Sequence, residues 1–292
     1  MLSGAAHLLS FQGTDTIPAI DFLEQYYGAD SDKEMIGGSI PATEHSVMCV
    51  GEKANEIDTF RRLITEVYPT GPVAIVSDTW DLWTVLTQYL PLLKDEIMAR
   101  DGKVVIRPDS GDPELIICGN PAAIGVPEHH GVMRMLWELF GGEVNAKGYK
   151  VLDPHIGLIY GEAINPEKQV SILENMARQG FASSNIVFGI GSYTYNYVTR
   201  DTYGMAIKST YAETQSAGGI PIFKDPATDD GLKKSAFGLL RVARDGEGRL
   251  MAEENVTWDE EATGELKTIF LDGEPRNFQT LAEIRARLAA AR

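Results

Sequence analysis

The chain has 292 residues, 43% of them hydrophobic, enough to bury the core of one large α/β domain or of two ordinary ones. Its formal charge of −16 at pH 7 creates a field that repels duplex nucleic acid and anionic membrane, so a polyanionic ligand has to be met by local clusters of Arg or Lys. There is no apolar run of about 18 residues, and Met1-Leu2-Ser3-Gly4-Ala5-Ala6-His7 lacks a secretory pattern, so a cytoplasmic protein with neither nucleic-acid nor membrane partners is expected.

In chain order, short apolar segments ending in polar residues predict strands at 7–12, 37–42, 72–77, 103–107, 155–160, 186–190 and 205–211. Between them, 17–27, 54–67, 80–93, 128–140 and 166–179 carry apolar residues three and four apart, which predicts amphipathic helices packed outside a sheet. Asn165-Pro166-Glu167 offers an N-cap followed by proline at the first helical position, and Gly180 stands where a left-handed C-terminal cap belongs. From about 219 the pattern breaks into turns, including Asp245-Gly246-Glu247-Gly248, before a last helix at 279–291. The expected organisation is therefore a core over 1–218 and a turn-rich C-terminal segment over 219–292. Cys49 and Cys118 have apolar neighbours and no metal-type spacing, the pattern of buried reduced thiols.

Polar residues fall just beyond the predicted strands: Asp15, His45, Asp78, Arg107 with Asp109, Glu162 and Ser192. In a parallel barrel such positions converge on the face that carries the chemistry. Singly, each has another reading, and Asp78 can equally be the N-cap of the following helix.

In Ile106-Arg107-Pro108-Asp109-Ser110-Gly111, an Arg fork can grip a pyrophosphate or a carboxylate, and the Asp can orient a sugar hydroxyl or hold Mg²⁺; a surface Arg107–Asp109 pair is the alternative. Gly161-Glu162 places a carboxylate where ribose hydroxyls can donate to it. The glycine-bearing exit Phe188-Gly189-Ile190-Gly191-Ser192 can cradle a phosphate on backbone N–H groups, with Arg200 and Lys208 downstream to neutralise it, or can simply allow close packing. Lys224 and Lys233-Lys234 lie in the turn-rich part, where exposed lysines usually serve solubility. Of five histidines, His45 alone follows a predicted strand with a carboxylate and a hydroxyl beside it; His129-His130 reads as surface. A hydrolase elbow and zinc spacings are absent from the sequence.

The successive segments Phe11-Gln12-Gly13-Thr14-Asp15-Thr16, Ile40-Pro41-Ala42-Thr43-Glu44-His45-Ser46, Val76-Ser77-Asp78, Ile106-Arg107-Pro108-Asp109-Ser110-Gly111, Lys147-Gly148-Tyr149-Lys150, Phe188-Gly189, Thr199-Arg200-Asp201 and Phe223-Lys224-Asp225-Pro226 resemble, in order, the motifs of nicotinamide phosphoribosyltransferases. The resemblance implies an irregular (β/α) barrel of the type II phosphoribosyltransferase kind with part of an accessory α/β domain. It implies joining nicotinamide to phosphoribosyl pyrophosphate with release of diphosphate, Mg²⁺ as cofactor, ATP as a stimulating co-substrate, and a homodimer. By position, Asp15 accepts from the nicotinamide amide, Arg107 meets the base amide and the diphosphate, and His45 is phosphorylated when ATP hydrolysis is coupled. Asp78 helps hold Mg²⁺-diphosphate, Asp109 and Gly161-Glu162 contact ribose, and Arg200 holds the ribonucleotide phosphate. Gly191, Ser192, Lys208 and Lys224 complete the expected substrate-binding set.

This sequence departs from the family where Glu162 replaces Asp, Ser192 replaces Gly and Phe237 stands where lysine is common. The resemblance is to the family's barrel portion, without the upstream region that supplies a stacking aromatic and an arginine. A nicotinate-specific transferase and a nucleotide-binding barrel without turnover are the alternatives; a carboxylate at Asp15 favours an amide over nicotinate's carboxylate.

Overall fold

The run Val73-Ala74-Ile75-Val76 is apolar on both faces, and such a strand is stable only inside a sheet covered on both sides. In the computed structural model, which describes residues 1–191, 202, 207–215, 218–223 and 235–290, it forms β1 (Val73–Val76), with all four residues buried. β2 (Val104–Arg107) pairs with β1 in parallel, Val76 opposite Arg107. A short antiparallel hairpin, β3 (Gly142–Val144) and β4 (Lys150–Leu152), precedes β5 (Ile156–Tyr160) and β6 (Ile186–Phe188). The main sheet runs β1-β2-β5-β6, all neighbours parallel. Single parallel bridges, Ala42 to Ala74 and Gly13 to Gly38, continue the order past β1 toward the N-terminus. The chain is thus mixed α/β with a parallel sheet, and among the described residues the sheet is not closed.

The expected strand at 7–12 is instead the end of a helix, Leu2–Leu8, whose Ala5 and Leu8 pack on Ala19 and Leu23 of helix Ile17–Tyr27. A short apolar run does not declare its period, and here a neighbouring helix supplied the apolar face. The segment at 37–42 contributes bridges rather than a full strand. The expected strand at 205–211 lies partly outside the described residues, and Tyr211 opens a strand of another unit. Helix 17–27 and the helices at 166–179 and 279–291 form as expected, within a residue or two of the expected bounds. In the last but one, Asn165 Oδ1 accepts from Lys168 N at 2.8 Å and Gly180 takes φ +80°.

Two long helices are interrupted. The segment 54–67 is helix Glu56–Arg62 followed by a π-turn, Leu63–Val67, whose end is tied down by the Arg100 guanidinium on the carbonyls of Ile64, Tyr68 and Gly71. The segment 80–93 has a π-turn at Val85–Tyr89 just before Pro91; a proline lacks the N–H and crowds the preceding turn, and a wider turn accommodates it. Helix 128–140 begins properly at Gly131. Helices His45–Val50, Lys94–Met98 and Pro113–Cys118 were not expected.

By contacts the chain divides into 1–208 with 224–235, and 209–223 with 236–292. The first unit holds the sheet and one large apolar core, with Ile75, Ile106, Leu158 and Tyr160 among its buried residues. The second is built from antiparallel pairs, β7 (Tyr211–Thr214) with β8 (Gly218–Pro221) and β9 (Leu239–Arg244) with β10 (Leu250–Val256). The predicted Asp245-Gly246-Glu247-Gly248 turn is the β9–β10 loop, where the Asp245 carboxylate accepts from the N–H groups of Glu247 and Arg249 at 2.9 Å. Cys49 and Cys118 are buried and not joined in a disulfide. Among the described residues no helix is long and apolar enough to cross a membrane.

Candidate active site

The polar residues expected beyond β1 and β2 meet at the C-terminal end of the sheet. The segment before β1 is pinned by backbone and side chain together: Thr43 N donates to Ala74 O at 3.0 Å, and Val76 N donates to Thr43 Oγ1 at 3.0 Å. This sets the start of helix His45–Val50 beside the end of β1 and buries His45 to 8% exposure. Its Nε2 lies 3.3 Å from Asp78 Oδ1. Asp78 is 1% exposed, and its Oδ2 accepts from Asp109 N at 2.9 Å and from the Ser110 hydroxyl. Burial pushes the Asp78 carboxyl up, but the bonds from His45, Ser110 and Asp109 outweigh it and hold it below the ordinary carboxylate value. Asp78 is therefore an ionised hub. It is not the N-cap of the next helix; Asp81 does that, accepting from Trp83 N at 3.0 Å.

Arg107, at the end of β2, donates through Nη1 to Thr43 O at 3.2 Å and brings Nη2 to 3.9 Å from Glu44. Its side chain is a quarter exposed, so a fixed guanidinium stands at the mouth of a buried His–Asp pair. Asp109 is half-buried beside it. Gly161 and the half-buried Glu162 leave β5 next to the exit of β6, and a Cβ on Gly189 would meet Gly161 Cα at 3.0 Å, so the two exits are in backbone contact. Asp15 is exposed at the end of the Gly13–Gly38 bridge, and Gly191 and Lys208 are also exposed. Ser192, Arg200 and Lys224 lie outside the described residues. Phe237 packs on Phe223, with ring centroids 5.7 Å apart.

Sequence reasoning did not single out Thr43, Ser110, Tyr160 or Asp112. Asp112 N-caps helix Pro113–Cys118, accepting from Glu114 N and Leu115 N. The Asp-Pro signature there is the one read correctly at Asn165-Pro166. Thr43 and Ser110 carried no local signal apart from lying in motifs, because their partners are 33 and 32 residues away.

The donor set consists of hard carboxylate oxygens with a cation nearby, which suits Mg²⁺, an ion that usually takes most of its ligands from phosphate and water. Among the described residues no group of three or more His, Cys, Asp or Glu side chains forms a metal cage.

The profile of the nicotinate phosphoribosyltransferase (NAPRTase) family matches residues 1–274. The nicotinamide phosphoribosyltransferase of Acinetobacter baylyi is 52% identical over 98% of this chain and 57% of its own length. That of Xanthomonas campestris is 37% identical over 100% of this chain and 59% of its own, and that of Mycoplasma pneumoniae 41% identical over 77% and 46%. The chain thus spans about half the length of the curated relatives it matches. With the match running through every strand end that carries the site, the chain belongs to the nicotinate phosphoribosyltransferase (NAPRTase) family.

Proposed function

We propose that the protein transfers the phosphoribosyl group of phosphoribosyl pyrophosphate to nicotinamide, forming nicotinamide mononucleotide and diphosphate. The observation that carries the reading is the convergence of His45, Asp78, Arg107 and Asp109 at the C-terminal ends of adjacent parallel strands. The parallel order running from Gly13 through Gly38, Ala42, β1, β2, β5 and β6 supports an irregular barrel of the type II kind.

Breaking the bond from the anomeric carbon to the pyrophosphate oxygen builds positive charge on the ribose and negative charge on the departing diphosphate, while the pyridine nitrogen forms the new bond. Arg107 stabilises the leaving group, and Asp109 and Glu162 face the ribose. Mg²⁺ bound with the diphosphate would supply charge neutralisation there, and Asp78 with Asp109 would help hold it. Asp15 accepts from the nicotinamide amide and repels nicotinate's carboxylate. Arg200, with Gly191, Ser192, Lys208 and Lys224, receives the ribonucleotide phosphate. Because ionised Asp78 accepts the Nε2 proton of His45, the Nδ1 lone pair is left as nucleophile for the γ-phosphoryl of ATP, with ADP departing. The reading includes a cytoplasmic homodimer with no nucleic-acid or membrane partner.

The test is base choice. With phosphoribosyl pyrophosphate, Mg²⁺ and ATP supplied, nicotinamide is converted to its mononucleotide and nicotinate is a poor substrate; preference for nicotinate would move the assignment to the alternative transferase.

A further inference from the structure

Tyr160 ends β5 and is fully buried, yet its hydroxyl is not idle. It donates to Ser110 O at 2.9 Å and to Gly111 O at 3.1 Å, reaching across from β5 to the loop that follows β2. That loop presents the Asp109 N–H and the Ser110 hydroxyl to Asp78 Oδ2, and Asp78 Oδ1 meets His45 Nε2. A continuous buried chain therefore runs from β5 through the loop and the end of β1 to the helix that carries His45. Burial, and after it Asp78, Asp109, Glu162 and Asp112, push the phenol's pKa up, so the hydroxyl remains a donor throughout the working pH range.

We propose that Tyr160 is a positioning residue of the transferase site: its hydroxyl fixes the Asp109-Ser110-Gly111 loop so that Asp78, and through it His45, keep their aim. The proposal rests on the transferase reading above. A phenylalanine fills the same core volume but leaves the carbonyl of the buried Ser110 without its donor and frees that of the exposed Gly111, so the loop relaxes toward whatever partners it can find. A displacement of about 1 Å in a site of this kind costs up to about a hundredfold in rate.

The experiment compares the wild type with Tyr160→Phe and Ser110→Ala in amide exchange and in mononucleotide formation. In Tyr160→Phe the Asp109 amide exchanges about tenfold faster while the core helix Glu56–Arg62 is unchanged. The turnover rate falls about ten- to a hundredfold, with the KM for nicotinamide within about twofold. In the Ser110→Ala background the same tyrosine change has a smaller effect, because one of the two bonds from the loop to Asp78 is already cut. A loss confined to melting temperature, with Asp109 exchange and turnover at wild-type values, would overturn the proposal and leave Tyr160 as core packing. So would full additivity of the two changes. If the wild type itself forms no mononucleotide, the transferase reading fails, and the Asp109 exchange still decides whether Tyr160 positions the loop.

Discussion

Asp15 sits exposed just after the bridge between Gly13 and Gly38. If Asp15 faces the base as proposed, Asp15→Asn keeps the side chain's size and removes the charge that repels nicotinate's carboxylate, so the ratio of kcat/KM for nicotinamide over nicotinate should fall by about tenfold or more. An unchanged ratio would mean that Asp15 does not face the base. On the proposed reading, His45→Ala removes the ATP phosphoryl acceptor while Arg107 still serves the diphosphate. Incubation with γ-labelled ATP should give an acid-labile label in the wild type and none in the variant, and basal transfer should suffer less than ATP-stimulated transfer. Label that persists in His45→Ala would assign the phosphoryl group elsewhere.

Glu56, at the start of helix Glu56–Arg62, is 1% exposed, and its Oε1 lacks a hydrogen-bond partner among the described residues. Burial first, then Asp81, push its carboxyl from 4.5 up to about 8. The folded state therefore holds a proton that the unfolded chain releases. That stabilisation is complete below about pH 4.5 and is lost as pH rises through about 8. Glu56→Gln cannot ionise, so its stability advantage over the wild type should grow from pH 5 to 8 by on the order of a few kcal/mol and then level off. Parallel stability curves for the two proteins would show that Glu56 does not carry this proton. Asp78 and Asp109 were legible because each lies just past the end of a buried strand. Glu56 was not, since its helical position looks like any solvated acidic start.

Among the elements, the helix Pro166–Arg178 shows how far local chemistry reaches. Its cap, its first-turn proline and its terminal glycine are all within the segment, and all three do what their types predict. Asn165→Ala leaves the Lys168 N–H without that acceptor and should lower stability by about 1 kcal/mol, read as a shift in denaturant midpoint at constant slope. No shift would mean that water replaces the cap at no cost. The interrupted helices were legible as helices but not as interrupted, because a π-turn is decided by what packs on it. The Arg100 guanidinium, 36 residues from Ile64, donates to the Ile64 carbonyl of one such turn from outside the helix. The segment at 7–12 failed for the opposite reason: its apolar residues were real, but their partners Ala19 and Leu23 lie on a helix and set a helical period.

At the scale of the whole molecule, the parallel sheet was legible from its buried strands, and the site from the polar residue that ends each one. The joining of these ends was not legible, since Asp78 collects bonds from residues 33, 31 and 32 positions away. On the proposed reading this convergence is a phosphoribosyl-transfer site, and Arg107, a quarter exposed, is open to a ligand. The most direct measurement is the initial rate of nicotinamide mononucleotide formation, at saturating Mg²⁺, by the wild type and by Arg107→Ala of matched thermal stability. A phosphoribosyl-transfer site at this convergence predicts turnover by the wild type and a loss of about a hundredfold or more in kcat/KM for phosphoribosyl pyrophosphate in the variant. Equal rates in the two proteins would contradict it.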